Sequence, residues 1–161
     1  MSTELVGIGE LKFGNSPDLV LTAPNLGSCL GIAVYDPKKK QGAMIHCLLP
    51  NSKTNPEKAS AQPATFVDTG VVLLLNGLIQ RGSVLKDLII AVAGGSNIND
   101  SENVFEIGKK NYTVLRKVLW KNNLLIKAEN IGDSVSRTIS LNIESGEIWL
   151  RISGGENKRM I

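Results

Sequence analysis

Cys29-Leu30-Gly31-Ile32-Ala33-Val34-Tyr35-Asp36-Pro37-Lys38-Lys39-Lys40-Gln41-Gly42-Ala43-Met44-Ile45-His46-Cys47-Leu48-Leu49 reads as two short apolar runs joined by a turn. Runs of this length bounded by Pro, Gly and charge are strands rather than helices. Cys29 to Tyr35 and Ala43 to Leu49 are therefore expected to pair as a hairpin. Pro37 and Gly42 stand at plausible turn positions, and the lysine run is most simply a solvated turn.

Working outward, similar runs predict strands at Glu4 to Gly9 and Asp18 to Ala23 on the N-terminal side. Beyond the hairpin, Pro50 to Gln62 is too rich in Pro, Ser and Lys for a core element. It is expected to be a long loop, either a binding segment or a surface excursion. Pro63 opens a helix whose Phe66, Val67, Val71, Leu74 and Leu78 recur at helical spacing until Arg81-Gly82 ends it. Leu88 to Ala93 reads as a buried strand closed by Gly94-Gly95-Ser96-Asn97. A second helix, Gly108 to Asn122, carries Tyr112, Leu115, Val118 and Leu119 on one face, with its lysines and Arg116 largely elsewhere. Strands follow at Leu124 to Ile131, Arg137 to Ile143 and Glu147 to Ser153, the last two joined by Glu144-Ser145-Gly146. Strands before, between and after two helices predict an α+β fold with helices covering mixed sheets. With 161 residues and no internal repeat or linker, one domain over residues 1–161 is expected.

Composition narrows the function. A net charge of +3 and an aromatic content of 4% leave few platforms for stacking bases, which argues against nucleic-acid binding. No run approaches a membrane span, and Met1 to Glu10 lacks a signal-peptide pattern, so a cytoplasmic location without membrane insertion is expected. The two cysteines, without Cys-x-x-Cys spacing, are expected to be reduced thiols.

The chemistry centres on Cys29 and His46, the single histidine. A thiol nucleophile needs a base, and any Cys-His chemistry in this chain must use His46. Burial in an ordinary core explains the same two residues nearly as well. Gly27, Ser28 and Gly31 favour the functional reading, because small residues clear space around the sulfur and permit a turn that aims backbone N–H groups at one point. An ion pair between the two would place the Cys29 pKa well below ~8.5. Zinc would have to use Cys29, His46 and Cys47. Neighbouring strand residues face opposite ways, so His46 and Cys47 cannot readily share an ion, and no metal or other cofactor is expected. The same alternation makes Cys47 a core residue. Gly94-Gly95-Ser96-Asn97 lacks the spacing and lysine of a phosphate loop and is better read as a structural turn.

Five blocks, Val6-Gly7-Ile8-Gly9-Glu10, Leu26-Gly27-Ser28-Cys29, Gly42-Ala43-Met44-Ile45-His46-Cys47-Leu48-Leu49-Pro50, Ala93-Gly94-Gly95-Ser96 and Asn142-Ile143-Glu144-Ser145-Gly146, resemble the CheD family of chemoreceptor glutamine deamidases in order and spacing. The resemblance runs over nearly the whole chain. It implies a three-layer α/β/β fold like that of toxin deamidases and a Cys-His-Thr triad whose first two members match Cys29 and His46. The family's threonine position is occupied here by Ala23, and Thr22 lies one residue further away. Thr22 could serve if a bulge near Pro24 re-aims the strand; Asn25, or a backbone carbonyl or water, are the alternatives. Asp133 also departs from the family's usual glycine after the one matching Gly132. The resemblance further implies conversion of glutamine to glutamate, through a Cys29 thioester, on the cytoplasmic helical bundle of methyl-accepting chemotaxis receptors. Amides at Gly27, Ser28 and Cys29 would hold the oxyanion. It also leaves open a non-catalytic role, in which the chain binds the CheC phosphatase or receptors as a regulatory module.

Overall fold

The computed structural model describes residues 1–98 and 106–161. The hairpin of the opening stretch forms as β4 (Leu30–Asp36) and β5 (Gln41–Cys47), paired antiparallel with Leu30 opposite Cys47 and Gly31 opposite His46. Every residue of both strands is buried, because the two faces of this sheet are both covered. One face carries helix α2 (Val67–Gln80) and helix α3 (Ile107–Lys121), whose Val71, Leu74, Leu78, Leu115 and Leu119 pack on Ile32, Ile45 and Cys47. The other face meets a second sheet across a core of Leu21, Leu26, Ala33, Met44 and Ile139. The helices and the two sheets thus form the three layers α/β/β.

The central sheet runs β2 (Leu11–Gly14), β5, β4, β6 (Ile89–Gly94), β7 (Ala128–Ile131). The outer sheet runs β1 (Ser2–Leu5), β3 (Leu19–Leu26), β8 (Arg137–Asn142), β9 (Ile148–Ile152), β10 (Asn157–Arg159). Along β3 burial alternates, with Leu19, Leu21 and Ala23 turned to the inter-sheet core and Val20 and Thr22 away from it. This is the period-two pattern of a strand whose two faces differ.

Several elements differ from the sequence reading. The expected strand Glu4 to Gly9 ends at Leu5. Gly9 takes a left-handed conformation, and the chain turns there into β2. Pro63 opens only a single 3-10 turn, Pro63–Thr65, and α2 starts at Val67. The polar stretch after β5 contains the short helix α1 (Pro56–Ala61), capped by the Asn55 side chain on the Lys58 amide, with Pro56 in its first turn and no residue buried. The strand expected from Leu124 is regular only over Ala128–Ile131. The inward stripe of α3 is Gly108, Asn111, Leu115 and Leu119, with Tyr112 and Val118 at its margin. Among the described residues, no helix is long and apolar enough to cross a membrane.

Candidate active site

Cys29 is the last residue before central strand β4, at the end of the sheet where β5 and β6 also finish. The register puts Gly31 beside His46, so Cys29 lies diagonally across from His46. Both side chains face the inter-sheet layer: Cys29 is packed among its apolar residues, and His46 alternates with Ile45 and Cys47, which face the helices. The strand alternation that separates Cys47 from His46 is therefore present, and Cys47 is buried in the helix-facing core.

His46 is 2% exposed and embraced by the turn after β1. Its backbone N–H donates to the Glu10 carbonyl at 3.1 Å, and its carbonyl accepts from Gly9 at 2.8 Å. The Nδ1 nitrogen lies 3.0 Å from the Val6 carbonyl. A carbonyl can only accept, so Nδ1 carries the proton and Nε2 carries the lone pair. Nε2 is buried and has no hydrogen-bond partner among the described residues. An unpaired buried polar atom costs about 1–3 kcal/mol, so this nitrogen is a lone pair left open toward the inter-sheet layer.

Burial pushes the Cys29 thiol up to about 11, opposed only by its own backbone N–H. Burial also lowers the His46 pKa, against the upward pulls of the Val6 carbonyl and the Glu10 charge. Both shifts have the same cause, burial, and both favour the neutral thiol and the neutral imidazole over the charged forms. Burial thus moves the Cys29 thiol in the direction opposite to the depressed pKa expected from sequence for an ion pair.

Three consecutive carbonyls of the cysteine loop are held from outside it. Gly27 accepts from the Ser96 amide and Cys29 from the Gly95 amide, each at 2.9 Å, while Ser28 accepts from the Asn111 side chain at 3.0 Å. The Gly94-Gly95-Ser96 turn is thus a cradle for the cysteine loop rather than for an anion. Gly94 has φ +117, and a Cβ there would overlap the Cys29 carbonyl oxygen, so only glycine fits. Among the described residues, nothing accepts from the N–H groups of Ser28 or Cys29 apart from the Cys29 sulfur itself. Gly27 contributes its carbonyl to the anchoring and its small size to the turn.

The structure does not bring Thr22 to His46, which corrects the expected triad. Thr22 points out of the inter-sheet layer and its hydroxyl bonds Ser140 at 2.9 Å. A bulge does exist in β3, but it lies between Ala23 and Leu26, past Thr22, and leaves that residue's direction unchanged. Asn25 sits in the bulge with φ 54, exposed, its amide facing Thr138. The connection from Thr22 to the imidazole runs through the main chain: Val6 N–H donates to the Thr22 carbonyl at 2.7 Å, and the Val6 carbonyl accepts from His46. Asp133 adopts φ 55 beside Gly132 at φ 89, so the loop keeps a left-handed shape that aspartate tolerates better than most side chains. Sequence reasoning missed Val6 and Asn111. A backbone carbonyl has no sequence signal, whereas Asn111 had one: a lone amide four residues before Leu115 on the inward stripe of a helix.

The α/β/β layering thus sets a buried thiol and an imidazole with an unpartnered Nε2 on one face at one end of the central sheet. The family pattern of CheD, chemotactic sensory transduction, matches residues 48–152, and the chain belongs to the CheD family. It is 40% identical over 158 residues to a probable chemoreceptor glutamine deamidase CheD of Solibacter usitatus, covering 98% of this chain and 94% of the relative. A second such protein, of Syntrophus aciditrophicus, is 40% identical over 96% of this chain and 97% of its own length. A third, of Anaeromyxobacter dehalogenans, is 38% identical over 94% and 95%.

Proposed function

We propose that this protein deamidates glutamine side chains of chemotaxis receptors, converting glutamine and water to glutamate and ammonia. The observation that carries the reading is the unpartnered Nε2 of His46, its tautomer set by Val6, on the same face as Cys29. On substrate binding, His46 Nε2 takes the Cys29 proton and Sγ attacks the glutamine amide carbon. The carbonyl oxygen becomes an oxyanion beside the Ser28 and Cys29 N–H groups. His46 returns the proton to nitrogen, the C–N bond breaks and ammonia leaves a thioester. Water, losing a proton to Nε2, attacks the thioester; the C–S bond breaks, and the sulfur recovers the proton. Each conversion leaves one new carboxylate on the receptor.

The test is incubation with a receptor cytoplasmic fragment followed by mass spectrometry. A gain of about 1 Da at glutamines is expected from amide-to-acid exchange by acyl transfer. An unchanged fragment mass, with folded protein, would sink the reading.

Two further outcomes follow from the geometry. With the thiol pKa near 11, the thiolate fraction at pH 7 is on the order of 10⁻⁴, so alkylation of Cys29 by iodoacetamide should be slow and rise about tenfold per pH unit from 7 to 10. A rate that is already flat between pH 6 and 8 would reveal a resting ion pair instead. Thr22→Val is expected to keep kcat/KM within about threefold of wild type, because a residue remote from the reacting atoms supplies little transition-state stabilisation. A hundredfold loss would return Thr22 to the triad.

A further inference from the structure

Asn111 is the one side chain among the three donors that hold the cysteine loop. It is fully buried on the inward stripe of α3, and its Nδ2 donates to the carbonyl of Ser28 at 3.0 Å and to that of Leu48 at 3.2 Å. Two carbonyl acceptors require that the nitrogen of the amide faces them. Continuing the Leu30–Cys47 register by one step sets Leu48 opposite Cys29. One carboxamide therefore staples the loop that bears Cys29 to the strand end that bears His46. Its Oδ1 is buried without a partner among the described residues, a desolvation penalty that an apolar residue at this site on a helix stripe would avoid.

The Ser28 carbonyl and the Cys29 N–H belong to one planar trans peptide and so point in opposite directions. Asn111 approaches from the helix layer and holds the carbonyl on that side. The Cys29 N–H is thereby turned to the inter-sheet side, where the thiol and His46 lie. We infer that Asn111 is a positioning residue for deamidation, fixing the Ser28–Cys29 peptide so that the Cys29 N–H meets the oxyanion. The inference rests on the proposed reaction at Cys29. It assigns to the helix layer a part in transition-state stabilisation without contact with substrate.

The test compares wild type, Asn111→Ala, Asn111→Asp and Cys29→Ala on a receptor cytoplasmic fragment, reading kcat, KM, Cys29 alkylation at pH 9 and thermal unfolding. Asn111→Ala should lower kcat about 10- to 100-fold, somewhat less than deleting an oxyanion donor outright, with KM little changed. Cys29 alkylation should stay within about twofold of wild type, because the thiol itself is untouched. Asparagine-to-aspartate is nearly isosteric, but an ionised carboxylate has no proton for either carbonyl, so Asn111→Asp should lose kcat likewise. If Asn111→Ala does not fold, Asn111→Asp decides on the same readouts. A wild-type kcat in the folded variant overturns the inference, as does a parallel fall of kcat and alkylation, which would make Asn111 a packing residue. Activity retained in Cys29→Ala would instead overturn the reaction on which the inference rests.

Discussion

Cys29→Ala is expected to abolish deamidation, by at least about 10⁴-fold in kcat, the scale on which removing the nucleophile silences an acyl-transfer site. No other group on the inter-sheet face near His46 can form the thioester, since Cys47 points into the helix-facing core. Cys47→Ala should accordingly stay active, and the opposite result would show that the reaction uses the other sulfur. The fold should survive the loss of one sulfur atom, at about 1 kcal/mol. The substitution also carries a pH signature. The Cys29 pKa is raised in the folded state from 9.0 to about 11, so its protonated thiol stabilises fully below pH 9 and loses that contribution as pH climbs toward 11. Part of the alkaline destabilisation should be missing from Cys29→Ala, as denaturant unfolding between pH 8 and 11 would register.

His46→Ala is expected to reduce kcat about 10²- to 10⁴-fold, the usual contribution of a positioned general acid and base. Because burial rather than His46 sets the Cys29 pKa, alkylation of Cys29 at pH 9 should change little in the same variant. This dissociation is diagnostic. If alkylation and turnover fell together, His46 would be activating the resting thiol, and the neutral pair would be the wrong starting state. If neither fell, His46 would be a packing residue.

Much of the fold could be read from the chain because the hairpin, α2 and the Arg137-to-Ser153 strands each bury a continuous or periodic apolar pattern. What escaped was short or half-exposed. Leu11–Gly14 and Asn157–Arg159 are edge strands whose pairing, not composition, defines them. The expected strand Glu4 to Gly9 ran too far because Gly9 interrupts the apolar run only through its left-handed backbone. Within the candidate site, Cys29 and His46 were legible because a thiol and the single histidine are the side-chain types the proposed reaction needs. Thr22 misled because its residue type fitted the role while its strand direction did not. Asn111 was passed over because the polar positions of an amphipathic helix are ordinarily solvated.

The hook on the imidazole is a main-chain oxygen, and every amino acid brings one. Position 6 can therefore exchange its side chain for any that suits a buried turn without surrendering the group that holds Nδ1–H. Proline keeps that carbonyl but is excluded on a separate ground, because it would lack the N–H that ties Val6 to the Thr22 carbonyl. Ala23, where the family resemblance implies a threonine, is then compatible with an imidazole that keeps its Nδ1–H bonded. In the proposed reaction, the aim of the imidazole is therefore insured by peptide geometry, which a survey of side chains alone would overlook.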